Sequence, residues 1–226
     1  MASFRGHVAV GGATAATSVA ALSAFTPVTD IPTLASVCGL VLVGSALPDI
    51  DSDTSMPFYL AFGTATLVVL AMVIHRTFLV TADTNQLILI PLATLVFFWF
   101  VIGGIVKHLT HHRGMIHSIP ALLVASLGTV YLAHTAGFDN LHATLFGIAI
   151  GLGFLSHLVL DEIYAGVNIH GIPFIPNKAF GSALKFGSHS HVANVFFYAA
   201  TALFIFLTFP ILSSSIPLIA PYMPGI

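Results

Sequence analysis

Residues 141–163 read LHATLFGIAIGLGFLSHLVLDEI. At about 1.5 Å of rise per residue, a helix of this length spans the roughly 30 Å hydrocarbon core of a bilayer. The run is continuously apolar instead of alternating with period two, so it predicts a transmembrane helix and not a barrel strand. His157 and Asp161 lie four residues apart near its end, which places both side chains on one helix face. Ionisable groups beside an apolar segment are costly unless they pair, bind an ion or line a cavity. The same spacing delivers two metal ligands from one helix in helical zinc sites, and it equally suits a buried His hydrogen-bonded to Asp.

The rest of the chain extends this reading. Charged residues make up 6% of the 226 and hydrophobic ones 57%, with a mean hydropathy of +1.02. Seven apolar segments can be drawn, at about 7–25, 31–47, 57–75, 87–106, 117–134, 141–163 and 193–210. The expectation is an all-α polytopic membrane protein of six to seven transmembrane helices, a single domain over residues 1–226. The second segment opens with Pro32, which suits a first helical turn. Pro210, Pro217, Pro221 and Pro224 argue against one regular helix at the tail and place it at the interface. The Gly-, Pro-, Asn- and His-rich stretch 164–192 is the longest non-apolar segment, of a length usually functional or disordered. Arg5 and the small-residue run after it resemble a signal peptide superficially, but Gly11, Gly12 and several Thr make a weak apolar region, and a closely packed helix is the better reading. The lone Cys38 excludes an internal disulfide framework and multi-cysteine zinc motifs. A net charge of −2 argues against nucleic acid as a partner.

Threading the seven segments with the N-terminus inside puts Arg5, Lys107, Arg113, Lys178 and Lys185 on the inner side and only Arg76 outside, the bias of the positive-inside rule. The same threading brings His7, Asp49, Asp51, His112, His117, His157 and Asp161 to one membrane face. Asp49, Asp51 and Asp53 crowd three carboxylates into five residues, which repel unless a cation or protons neutralise them. The stretch is not an EF-hand, because Thr54 and Leu60 stand where Gly and Glu are required. Asp49 and Asp51 read as ligands, and Asp53 reads as a cap or supporting carboxylate. His112 and His117 flank a glycine turn and can bend onto one ion, since neutral imidazole suits transition metals. Arg113 between them offers a planar fork to phosphate or carboxylate, or serves simply as an inner-side anchor. His108 and His111 read as solvated loop residues, and Ser118 as a helix cap. His170, His189 and His191 lie on the correct side without a settled role. His75, His134 and His142 fall at the opposite face as interfacial polar residues.

The ordered set Gly6-His7, Leu47-Pro48-Asp49-Ile50-Asp51, His112-Arg113-Gly114-Met115-Ile116-His117-Ser118 and His157-Leu158-Val159-Leu160-Asp161 resembles the YdjM-like family, whose members are described as membrane-bound, metal-dependent hydrolases, some under SOS (LexA) control. The resemblance covers about residues 6–162. It implies an inner-membrane, multi-pass protein with metal ligands at His7, Asp49, Asp51, His112, His117, His157 and Asp161. The chain departs from the family pattern at Ile116, where Thr is common, and after Asp161, where Glu162-Ile163-Tyr164 follows.

The leading functional expectation is a hydrolase acting on a lipid-linked or amphiphilic ester, with phosphoesters favoured by Arg113. One or two divalent transition ions, zinc first with manganese or iron as alternatives, would activate water. Asp51 or Asp53 would act as general base, and Arg113 would stabilise developing negative charge. The alternative is an ion- or proton-coupled transporter or channel using the same side chains, which needs a polar path through the midplane. A scaffold with a closed structural metal is a third reading.

Overall fold

Most of the described helix starts carry their own signal. Ser3 accepts a hydrogen bond from the Gly6 amide and opens α1 (Phe4–Phe25). Asp30 accepts from the Thr33 amide and, with Pro32 in the first turn, opens α2 (Ile31–Ala46). A 3-10 turn (Leu47–Asp51) leads to α3 (Ser55–Val80). Asp83 caps α4 (Thr84–Val96), which continues as a π-helical segment (Phe97–Ile102). Ser118 caps α5 (Ile119–Thr135), again with Pro in the first turn. Asp139 accepts from the His142 amide at the start of α6 (Asn140–Gly166), and α7 (His191–Ile219) follows. Side-chain acceptors of this kind satisfy orphan amides that lipid could not. The computed structural model describes residues 3–26, 28–51, 55–104, 115–166, 184–188 and 190–219.

Among the described residues all regular structure is helical, and six helices are long and apolar enough to cross a membrane; Ile119–Thr135 is a shorter apolar helix. The protein is an all-α, multi-pass integral membrane protein. α6 is its centre and packs against α1, α2, α5 and α7, while α3 pairs with α4. α4 has no buried residue, and its Ile88, Leu89, Ile90, Leu92 and Leu95 side chains are exposed.

Close backbone approach, not bulk apolarity, holds α6 in place, because lipid is as apolar as the helices and association rests on packing and interhelical hydrogen bonds. A Cβ on Gly44 would strike the carbonyl of Ile150, and one on Gly153 would strike the carbonyl of Val41. α2 and α6 are therefore in backbone contact. α1 approaches similarly, with Gly11 against the Ser45 side chain. On the other flank Ser126 of α5 donates to the Gly147 carbonyl of α6 at 2.8 Å. The small residues let helices carrying polar groups close to within ligand distance of one another.

The tail departs from expectation as far as Ile219, while Pro221 and Pro224 lie outside the described residues. α7 runs through Pro210 and Pro217 to Ile219 as one helix. Neighbouring helices and hydroxyls stabilise such prolines in apolar surroundings. Here Ser215 donates to the Asn140 carbonyl at 2.9 Å, Thr144 donates to Ser215 at 2.9 Å, and the Asn140 amide donates to Ser214 at 2.6 Å. These bonds tie the last turns of α7 to the first turns of α6.

Candidate metal centre

Five ionisable side chains from four chain segments meet at one end of the bundle. His7 comes from the first turn of α1, Asp49 from the 3-10 turn after α2, and His117 from the residue before the α5 cap. His157 and Asp161 come from the last turns of α6. The ends coincide because α1 leaves this end, α2 returns to it, α5 starts there and α6 returns to it. His7, His117, His157 and Asp161 are almost entirely buried, and Asp49 is half-buried. The approach to α5 is fixed by Ser118, which donates to the Met115 carbonyl, and by the Ile119 amide, which donates to Lys185 O at 3.0 Å.

His157 is the hub. Its Nδ1 lies 2.8 Å from the carbonyl oxygen of Ser45. A carbonyl can only accept, so Nδ1 carries a proton and the neutral ring presents its lone pair at Nε2. That Nε2 is buried, has no hydrogen-bond partner, and faces Asp49 Oδ1 at 3.6 Å and Asp161 Oδ2 at 3.7 Å. Asp161 also faces His7 Nε2 at 3.2 Å through Oδ1 and His117 Nε2 at 3.8 Å through Oδ2. The His7 and His157 rings stack with centroids 3.6 Å apart and planes 10° from parallel, and His7 Nδ1 is a second buried nitrogen without a hydrogen-bond partner.

These residues fit a divalent transition ion on three grounds. A lone pair aimed between two carboxylates is repulsive unless a cation or a proton stands among them. Ligands about 2.0–2.2 Å from a tetrahedral ion are roughly 3.3–3.6 Å from each other, close to the 3.2–3.8 Å separations above. A ligating His ordinarily donates its other nitrogen to a carbonyl or carboxylate, as His157 does to Ser45. Two groupings have metal-compatible spacing, His7 with Asp49 and His157, and His117 with His157 and Asp161. They share His157, so the donor set has room for one ion or two neighbouring ions.

Of the seven ligands expected from sequence, the structure brings together His7, Asp49, His117, His157 and Asp161. His112 lies outside the described residues, as do Asp53, Arg113 and the side chain of Asp51, and also His108, His111, His170 and His189. His191 is exposed at the start of α7. His75, on the end of α3 away from the cluster, stacks on Phe138 at 4.7 Å. His142 is more than an interfacial polar residue. Its Nδ1 lies 2.6 Å from Asp139 Oδ2 and its Nε2 3.1 Å from Thr33 Oγ1, which clamps the start of α6 to the start of α2 at the opposite end of the bundle. The three-residue spacing of Asp139 and His142 signalled the first contact; nothing local signalled Thr33 or the Ser45 carbonyl.

Searches of curated proteins and of solved structures each found no match. A family model described as YdjM inner membrane protein matches residues 1–222. The match takes in α1 to α7 with every residue of the cluster, and the chain belongs to the YdjM inner membrane protein family.

Proposed function

We propose that this protein is a membrane-embedded, metal-dependent hydrolase of a lipid-linked or otherwise amphiphilic ester, with phosphoesters favoured. The observation that carries the proposal is the buried His157 Nε2, the ring nitrogen left over once Nδ1 donates to Ser45, pointed between Asp49 and Asp161. A divalent transition ion, zinc by preference with manganese or iron as alternatives, would supply water of lowered pKa and polarise the ester oxygen. His157, Asp161 and His117, together with His7 and Asp49, would hold it. The stacked His7 and His157 rings and the packed helices around them keep bulk water out of the back of the site and fix the donor directions. Asp49 is the most exposed member of the set, so substrate is expected to approach from its side. The carboxylates of Asp51 or Asp53 are assigned to proton transfer, and the Arg113 fork is assigned to the anionic group of the substrate.

Transport by the same side chains is less well supported. Between His142 and His157, α6 carries no acid or base through the membrane interior, whereas a proton or ion path needs groups at the midplane. The test is a screen of purified, metal-loaded protein against phosphate and carboxylate esters of amphiphilic alcohols. Hydrolysis that stops on chelation, returns with added zinc or manganese, and is lost in folded His157→Gln is expected. Full metal content with no turnover of any ester would favour a structural metal instead.

A further inference from the structure

At the end of the bundle away from the His/Asp cluster, α3, α4 and α5 enclose a cavity of about 420 Å³, within the roughly 300–1,000 Å³ range of small-molecule sites. Its polar lining residues lie towards the loop end on all three helices, beside the apolar Val80 and Ala136. On α3, Val69 and Met72 lie deeper, while Arg76 and Thr77 lie towards the loop that begins after Val80. On α4, Ile90 lies deeper and Gln86 nearer that loop. On α5, Leu132 lies deeper and Thr135 sits at the helix end. An apolar interior that becomes polar and cationic towards the end of the bundle matches an amphiphile with its tail inward and an anionic head outward.

Arg76 supplies the charge. It has no ion pair or hydrogen bond among the described residues. The acids at this end are engaged elsewhere: Asp30 with the Thr33 amide, Asp83 with the Asn85 amide and Asp139 with His142. The guanidinium is held at the cavity by the α5–α6 turn. Gly137 has φ +97°, and a Cβ there would lie 3.5 Å from Arg76 Nη1 and 2.9 Å from Leu79 Cδ1, so glycine lets the arginine lie against the turn. Outward access follows from α4, which has no buried residue and exposes Ile90.

We infer that this cavity binds one anionic phospholipid of the surrounding leaflet, with its phosphate group on Arg76 and acyl chain along Met72, Val73 and Ile90. The site is separate from the proposed metal centre and does not depend on it.

Native mass spectrometry of the full-length chain in detergent, titrated with dioleoyl phosphatidylglycerol or dioleoyl phosphatidylcholine, tests the inference. The wild type should retain the anionic lipid about tenfold better than the zwitterionic one, since both offer a phosphate to the guanidinium but only phosphatidylcholine brings a quaternary ammonium that the Arg76 charge repels. Arg76→Gln should bring phosphatidylglycerol down to the phosphatidylcholine level while metal content is unchanged. Val73→Trp, which fills the cavity, should reduce retention of both lipids. Equal retention of the two lipids by the wild type, or undiminished phosphatidylglycerol on either variant, would overturn the assignment. The wild-type comparison decides the matter even if a variant does not fold.

Discussion

Gly153→Ala tests whether backbone contact between α2 and α6 builds the candidate metal centre. The added Cβ would fall on the Val41 carbonyl and 2.8 Å from the Ser45 amide nitrogen, a contact about 0.7 Å short of ordinary van der Waals distance. Both neighbours are backbone, so the helices must separate. Ser45 also provides the carbonyl that His157 Nδ1 donates to at 2.8 Å. The Val41 carbonyl is the tighter contact, so the separation is at least about 0.7 Å, which already carries that bond to the limit of hydrogen-bond geometry. Overpacking costs about 1–3 kcal/mol, and loss of the buried hydrogen bond adds about 1–3 kcal/mol. Thermal unfolding in detergent should therefore show a clear loss of stability. Competition with a chromogenic chelator should show metal affinity falling about 10–100-fold, the usual effect of losing the group that orients a ligating His. Gly39→Ala is the internal control. It lies on α2, the helix that Gly153 of α6 meets, nothing stands within 4 Å of its new Cβ, and alanine there should be neutral or stabilising by up to about 1 kcal/mol. If Gly153→Ala matches Gly39→Ala in both stability and metal affinity, the close approach of α2 and α6 does not set the His157 geometry.

Part of the protein's acid lability should come from the opposite end of the bundle. Burial raises the Asp139 carboxyl, but the hydrogen bonds from the His142 amide and ring outweigh it and leave the group below its ordinary 3.8; the Thr33 side chain and amide lower Asp30 likewise. A carboxyl depressed in the folded state contributes stability that is present above 3.8 and lost as pH falls below it. Melting temperature should drop below about pH 4, and Asp139→Asn should flatten that drop; an identical pH profile in the variant would remove Asp139 from the explanation. Arg113→Lys keeps the charge but loses the fork, so ester hydrolysis should fall at least several-fold at normal metal content. Unimpaired turnover would make Arg113 a topology anchor only and end the preference for phosphoesters. Ser126→Ala removes the 2.8 Å bond to Gly147 and should cost only about 0.6 kcal/mol in unfolding assays, the scale of interhelical hydrogen bonds in membranes; a cost of several kcal/mol would mean that polar bonds, not close packing, fix α5 on α6.

The helices and the convergence of the cluster were legible because long apolar runs and Lys/Arg placement are local signals. His157 and Asp161 could be put on one face from spacing alone, and His7, Asp49 and His117 followed from counting crossings. The internal geometry of the site was not legible. The stacking of His7 on His157 and the bond from His157 to Ser45 depend on how near α1, α2 and α6 approach, which Gly11, Gly44 and Gly153 decide jointly and no single segment encodes. The clamp of Asp139, His142 and Thr33 spans more than a hundred residues of sequence, so only its Asp139–His142 half could be read. The course of the tail to Ile219 is not legible because Pro210 and Pro217 read as isolated helix breakers, whereas Ser215, between them, bonds to Asn140 and Thr144 and holds α7 against α6.

The most direct measurement is metal content per chain by inductively coupled plasma mass spectrometry, on wild type purified without chelator and on Asp161→Asn, which keeps the side-chain shape. The account predicts one or two equivalents of zinc, manganese or iron in the wild type, removable by chelators, and a marked loss of occupancy in Asp161→Asn, because Asp161 stands within 3.2–3.8 Å of all three cluster histidines. A wild type that takes up no transition metal, or an Asp161→Asn protein that holds the full complement, would contradict the assignment of this cluster as a metal centre.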